Sequence, residues 1–360
     1  MTVNIYTEWG PLKEVIVGSV FNMSPHNIDL SFKLFFNNNI KDVFLKNSIV
    51  LQQKLIEERQ QDLDDLASTL SSMGIIVHRP NKLMNVEEFS TPYFKDHTSP
   101  CDNPRDQVFV IGNKIIETPC IWRKRYFEND LLKPIFYKKF MEGAAWISAP
   151  RPMMKETSFD LEYARETNNI NIDWNHYDSL EKDYEIMFDG AQCLKFGKDI
   201  LMNVANKNHQ LGFNWLKSII GSEFRLHQIN ITDHHIDSML MPLAPGKLLI
   251  DPDKMISKID MLPPALQKWD RIIVPEKCKP SEGLSLASTS IYTNVLPLGP
   301  NKVLIFSENK DPNFALEKLL EKHNFEVIHV RLRHSRLFSG GNHCVTLDLN
   351  REEVLEDYFS

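Results

Sequence analysis

Four stretches of the chain repeat one design, and that repetition narrows the folds open to it more than any single motif. "RDQVFVIGNKIIETP" begins at Arg105, "FDGAQCLKFGKDILMNV" at Phe188, "HIDSMLMPLAPGKLLIDP" at His235 and "STSIYTNVLPLGPNKVLIFS" at Ser288. Each is an extended apolar segment, a tight glycine-containing turn and a second apolar segment, which predicts a β-hairpin. The turn glycines are Gly112, Gly197, Gly246 and Gly299. "LGFNWLKSII" and "DPNFALEKLLEKHN" have helical spacing and lead to the strand-like "EFRLHQINI" and "FEVIHVRL". Near the N-terminus, Leu63, Leu66, Leu70 and Met73 recur at intervals of three and four, Gly74 stops the helix, and "IIVHRP" resumes as a strand. The unit is therefore strand–strand–helix–strand. Such units stack or close into a ring, because one alone cannot bury its apolar face. Their spacing varies from about 50 to 85 residues, so their number stays open. The polar stretch from about Pro152 to Glu185 and the segment "PEKCKPSEG" (275–283) read as insertions or long loops.

Composition excludes several classes. The chain is 42% hydrophobic and 360 residues long, enough to bury a core without disulfides or metals. A net charge of −7 and the lack of a basic patch argue against nucleic acid or an anionic membrane as partner. No signal peptide or membrane-spanning run is visible. The five cysteines at 101, 120, 193, 278 and 344 form no CxxC pair, so neither a disulfide framework nor a zinc site is expected. A reducing, cytoplasmic setting is the simplest expectation.

The hairpins open on polar residues: Asp106, Asp189, Asp237 and Ser288. Asp is common at strand ends as a turn cap. Three at matching positions instead suggest carboxylates pointed at one centre, where they would repel unless a cation sat among them. A guanidinium fits, being planar, permanently charged and forked to match carboxylates. His235, two residues before Asp237, is expected on the same face of one strand, with His234 facing away. His is readily poised to move protons near neutral pH. Near the C-terminus, "FSGGNHCVTLDL" puts Cys344 behind Gly340 and Gly341, beside a histidine and at the mouth of a strand. The glycines are expected to allow close approach of backbone to ligand. The other cysteines read as buried structural residues. These residues alone predict a Cys–His–Asp enzyme acting on a cationic substrate.

Taken with "EWGPLKEVIVG", "NPRDQVFVIGNKIIETPCIWRKRYFE", "AAWISAPRP" and "LRHSRLFSGGNHCVTLDLNREEVLEDY", the chain resembles the amidinotransferase family almost end to end. That family includes glycine amidinotransferase and the inosamine-phosphate amidinotransferases. The resemblance implies an α/β fold, a five-bladed α/β-propeller of pseudo-fivefold ββαβ repeats, with residues 1–360 as one domain. It implies no cofactor and no metal, small-molecule substrates (arginine and an amine acceptor) and, from relatives, a homodimer. It places the nucleophile on Cys344, the acid/base on His235 and the catalytic carboxylate on Asp189. Guanidinium contacts fall on Asp106 and Asp237, with Ser288 as a further substrate contact. The implied chemistry is ping-pong: Cys344 takes the amidino group of arginine, ornithine leaves, and an amine accepts the group. Lys254 stands where relatives often carry an Arg for the donor carboxylate. Ala287–Ser288 replaces a serine pair, His234 replaces a residue of the acceptor entrance, and Asn342 stands where an aromatic is frequent. Alternatives are a guanidine hydrolase of the same superfamily, which would pass the intermediate to water, and a non-catalytic guanidinium-binding protein. A Cys–His protease fits less well, because three inward carboxylates suit a cation better than a peptide carbonyl.

Overall fold

The structure, a computed structural model, describes residues 2–36, 48–165, 172–233, 235–275, 288, 291–308 and 313–360. It is a mixed α/β fold containing five three-stranded sheets of one topology. In each, the first two strands are antiparallel and the third runs parallel to the second. The first sheet comprises Val108–Ile111, Lys114–Glu117 and Ala145–Ser148, and the second Cys193–Phe196, Asp199–Asn203 and Arg225–Ile229. Leu240–Ala244, Lys247–Ile250 and Asp270–Ile273 form the third, and Leu296–Gly299, Lys302–Ser307 and Glu326–Arg331 the fourth. Helices connect second to third strands, as a parallel crossover requires: Lys133–Met141, Lys207–Ile219 and Phe314–Lys322.

The fifth sheet joins the two ends of the chain. Leu12–Val17 pairs antiparallel with Thr346–Arg351, from Val17 opposite Thr346 to Leu12 opposite Arg351, and parallel with Ile76–His78. The helix between them, Gln53–Ser72, buries Leu63, Leu66 and Leu70 completely. Each such leucine contributes roughly 1.5–3 kcal/mol. Met73 caps it, and Gly74 adopts φ +81°.

Turn glycines behave as expected at three positions. Gly112, Gly197 and Gly246 all have positive φ. At Gly197 a side chain is also excluded by space, since a Cβ would stand 2.2 Å from the Glu356 carbonyl. Gly299 differs. It ends the strand Leu296–Gly299, pairs with Lys302 after a register shift, and leaves the turn to Pro300 and Asn301.

Apolar clusters join each sheet to the next. Phe109, Ile111 and Ile116 of the first meet Cys193, Ile200 and Met202 of the second. Leu194, Phe196 and Leu201 meet Leu240, Leu248 and Ile250 of the third, which meet Val303 and Ile305 of the fourth. Leu296, Leu304 and Phe306 meet Val15, Val17 and Val345 of the fifth. Ile16, Leu347 and Leu349 return to Val108 and Val110 of the first.

The stretch 152–185 is not a featureless loop. It holds the short helical segments Glu156–Ser158, Glu162–Arg165 and Trp174–Ser179. Its Met154, Phe159, Leu161 and Tyr177 pack with Leu34, Phe94 and Met187. Most of the segment 275–283, with Cys278, lies outside the described residues, as do His234 and Ala287.

Candidate active site

The first strand of every sheet is entered through a short helical turn or bend. Asp106 lies in Pro104–Gln107, Asp189 caps Gly190–Gln192, and Asp237 lies in Ile236–Ser238. Asn294 precedes the fourth sheet and Cys344 the fifth. These five residues stand two to four positions ahead of their strands, so the topology delivers them to one region. Asn294 takes the place expected for Ser288. The fourth sheet begins at Leu296, and Ser288 lies further upstream, its backbone exchanging hydrogen bonds with Arg336 (2.9 and 2.6 Å). His235 is not on a strand either. It caps the turn Ile236–Ser238, and that turn lets it and Asp237 reach different partners.

The side chains form one buried network. His235 Nε2 lies 2.9 Å from Asp189 Oδ2, and its Nδ1 3.7 Å from Asp106 Oδ1. Cys344 Sγ donates to Asp237 Oδ2 at 3.2 Å. Asn294 clasps the cysteine from both sides: its Oδ1 accepts the Cys344 backbone N–H at 3.0 Å, and its Nδ2 donates to Sγ at 3.1 Å. One ligating atom each of Asp106, His235 and Cys344 lie within 4.8 Å of one another. Among the described residues they are the single set placed to hold a metal ion. The same spacing suits a nucleophile, an acid/base and a carboxylate. Asp106 already has a cation, with Arg125 Nη1 2.7 Å from its Oδ2.

Two oxygens in this network are unsatisfied. Asp106 Oδ1 and Asp237 Oδ1 are buried and take no hydrogen bond. Buried carboxylate oxygens are costly to leave so. They are open acceptors on the two carboxylates nearest the thiol, suited to donors of a planar cation.

Electrostatics sets the protonation states. Burial opposes charge on His235, but Asp106, Asp189 and Asp237 outweigh it and push its pKa up to about 9. At neutral pH it is an acid. Burial, then the carboxylates of Asp237 and Asp106, push the Cys344 thiol well above its ordinary range, against the hydrogen bond from Asn294. Burial would also raise Asp237, but His343, by hydrogen bond and charge, wins and lowers it. The thiol is therefore held protonated until charge is added nearby. Replacing Asp237 with Asn should speed alkylation of Cys344 by iodoacetamide at neutral pH by about tenfold, the worth of one pK unit, while turnover falls. Slower alkylation would mean that the carboxylate activates the thiol instead of restraining it.

Lys254 sits on Pro252–Met255, just after the second strand of the third sheet. That strand returns to the Asp237 end, where the Asp251 N–H donates to the Met239 carbonyl at 2.9 Å. Lys254 thus stands at the same end of the third sheet as Asp237.

The L-arginine:L-lysine amidinotransferase of Pseudomonas savastanoi pv. phaseolicola is 31% identical over 98% of this chain and 95% of its own. The chain belongs to the amidinotransferase family. Two solved structures of the family agree with this amidinotransferase over their whole length. An inosamine-phosphate amidinotransferase from Streptomyces griseus matches with TM-score 0.84 and 29% identity over 99% of both chains. An amidinotransferase of the saxitoxin biosynthetic pathway from Microseira wollei matches with TM-score 0.83 and 30% identity over 100% of both. No protein-family model matches the chain. Proteins so named are transferases acting on small molecules, and no helix among the described residues is long and apolar enough to cross a membrane.

Several residues that build the site of this amidinotransferase escaped the sequence. His343 Nδ1 lies 2.8 Å from Asp237 Oδ2 and its Nε2 3.1 Å from Glu8 Oε2, so it orients the carboxylate facing the thiol. Arg105 donates to the carbonyls of His343 and Thr346, fixing the loop that bears Cys344. Gln107 Nε2 donates to Asp189 Oδ1 at 3.4 Å. Only Asn294 had a legible signal, its offset before the hairpin. The glycine pair also has a different purpose from the one expected. A Cβ on Gly340 would stand 2.1 Å from Asn103 Oδ1, and one on Gly341 2.6 Å from Phe306 and 2.8 Å from the Asn294 carbonyl. The glycines let the Cys344 loop close against protein, bringing Asn294 onto the sulfur.

Proposed function

We propose that this amidinotransferase moves the amidino group of L-arginine, through a covalent amidino-cysteine on Cys344, to a primary amine, releasing ornithine. The observation that carries this is the pair of unsatisfied oxygens on Asp106 and Asp237, the two carboxylates next to a protonated thiol, with a cationic His235 in the same cluster. The donor's guanidinium hydrogen-bonds to both oxygens. Its charge offsets the two carboxylates that hold the thiol up, so the thiol releases its proton to solvent as the donor binds, and the thiolate keeps the hydrogen bond from Asn294. Sulfur attacks the guanidinium carbon, His235 gives its proton to the leaving nitrogen, and the C–N bond breaks. The acceptor amine then attacks the same carbon, His235 takes the amine's proton, and the C–S bond breaks. Asp189 orients His235 and balances its charge. Guanidinium is a poor electrophile through resonance, so holding it in plane against the sulfur supplies much of the rate.

Lys254 is assigned to the donor carboxylate as a point charge, without the fork an Arg would offer. Ser288 is assigned a peripheral substrate contact, since Asn294 occupies the inner position. The five like sheets, each sharing an apolar cluster with the next, support one propeller domain over residues 1–360. The four described cysteines are free and buried, in keeping with a reducing, cytoplasmic setting.

Incubation with arginine and an excess of a primary amine tests the reaction. Ornithine and a guanidinylated amine are expected, with Cys344 heavier by one amidino group in place of a proton when the amine is withheld. Citrulline as the main product would replace transfer by hydrolysis. No adduct and no product would leave a guanidinium-binding protein.

A further inference from the structure

A cavity beside the acid/base residue indicates what kind of amine the site takes. Its volume is about 550 Å³ with the open solvent at its mouth included, and Asp106, 3.7 Å from His235 Nδ1, is among the residues lining it. Phe35, Phe36 and Trp122 make one wall. The ring of Phe35 stacks on Trp122 at 5.3 Å, and Phe36 meets Trp122 edge-on at 5.5 Å. Phe35 also meets the ring of His235 at 5.7 Å. A molecule lying on this wall therefore has one end at the residue that must remove the acceptor's proton.

The polar groups of the cavity say what the body of that molecule is not. Asp102, Asp106 and Glu128 line it against a single guanidinium, Arg125, among the described lining residues. Arg125 spends four of its five N–H groups inside the protein: two on Glu128, one on Asp106 and one on the Asn103 carbonyl. His26, stacked on Trp122 at 5.4 Å, is a neutral ring, because burial and then the charge of Lys124 drive its pKa down to about 3. A carboxylate or phosphate would meet three carboxylates there against two guanidiniums already paired with them, Arg125 and the Arg59 that holds Asp102 at 3.3 Å. One donor does remain, since Trp122 Nε1 is buried without a hydrogen-bond partner. An uncharged oxygen satisfies it.

We infer that the acceptor is a primary amine on an uncharged aromatic or aliphatic body bearing a hydroxyl or carbonyl oxygen, seated against Phe35, Phe36 and Trp122 with its nitrogen at His235. The inference rests on the transfer chemistry proposed above.

The amidino-enzyme is formed with arginine, freed of small molecules, and discharged by single amines, with products read by mass spectrometry. Tyramine and 2-phenylethylamine are compared with glycine, lysine and glucosamine 6-phosphate. The uncharged-body amines should discharge it with kcat/KM about tenfold or more above the others, as burial of a ring allows, and tyramine should lead. Trp122→Ala should shrink that ratio several-fold. Faster discharge by the carboxylate or phosphate amines overturns the inference while leaving transfer intact, and so does an unchanged ratio in the folded variant. If the variant does not fold, the wild-type ranking decides. Failure to form the amidino-enzyme overturns the transfer chemistry, and the acceptor assignment with it.

Discussion

Cys344→Ala is expected to lower kcat by about 10⁵-fold and to abolish the amidino adduct, as loss of a covalent nucleophile does. The variant should still fold. The residue is small, and truncating one buried thiol costs on the order of 1–2 kcal/mol. Circular dichroism and a melting curve check the fold, and intact mass after incubation with arginine checks the adduct. Replacing Cys120 in parallel is the control, since burial holds its thiol up at about 12 and its sulfur lies against Met154. An adduct that persists in Cys344→Ala, or turnover within tenfold of wild type, would refute the mechanism.

His235→Asn is expected to slow turnover by about 10³-fold, the usual worth of a positioned acid/base. Its pH dependence is the sharper test. The pKa of His235 is raised from 6.5 to about 9 in the folded protein. The leaving nitrogen of the donor therefore finds a proton at neutral pH, and wild-type formation of the adduct should fall as pH rises through about 9. The residual activity of the variant should lack that fall. Stability follows the same linkage. A raised pKa means that the contribution of His235 is complete below about pH 6.5 and is lost as pH climbs to about 9. The melting temperature of the wild type should drop across that window more than that of the variant. Equal slopes in rate and in melting would mean that another group titrates there.

The periodic parts of the molecule were readable, and the reason is local. A hairpin, its turn glycine and the following helix lie within a few dozen residues, so alternation and 3.6-residue spacing report them directly. Asp106, Asp189 and Asp237 were readable for the same reason, since each precedes a recognisable first strand. The fifth sheet was not, because its strands come from opposite ends and no local pattern links Val17 to Thr346. Ser288 was read as the opening residue of the fourth hairpin because the apolar "SIYTNV" looks like the start of a strand, whereas pairing begins at Leu296. Glu8 meets His343 across 335 positions, and only three-dimensional closure makes them neighbours.

The pairing of Leu12–Val17 with Thr346–Arg351 has a consequence for biosynthesis. During translation Leu12–Val17 emerges early and can soon meet Ile76–His78, but its other edge stays bare until residues 346–351 are made. Contacts at such sequence separation form late and slowly, and an exposed edge invites pairing with other chains. Cys344 lies two residues ahead of the closing strand, so the pairing that completes the fifth sheet also fixes the loop that bears the thiol.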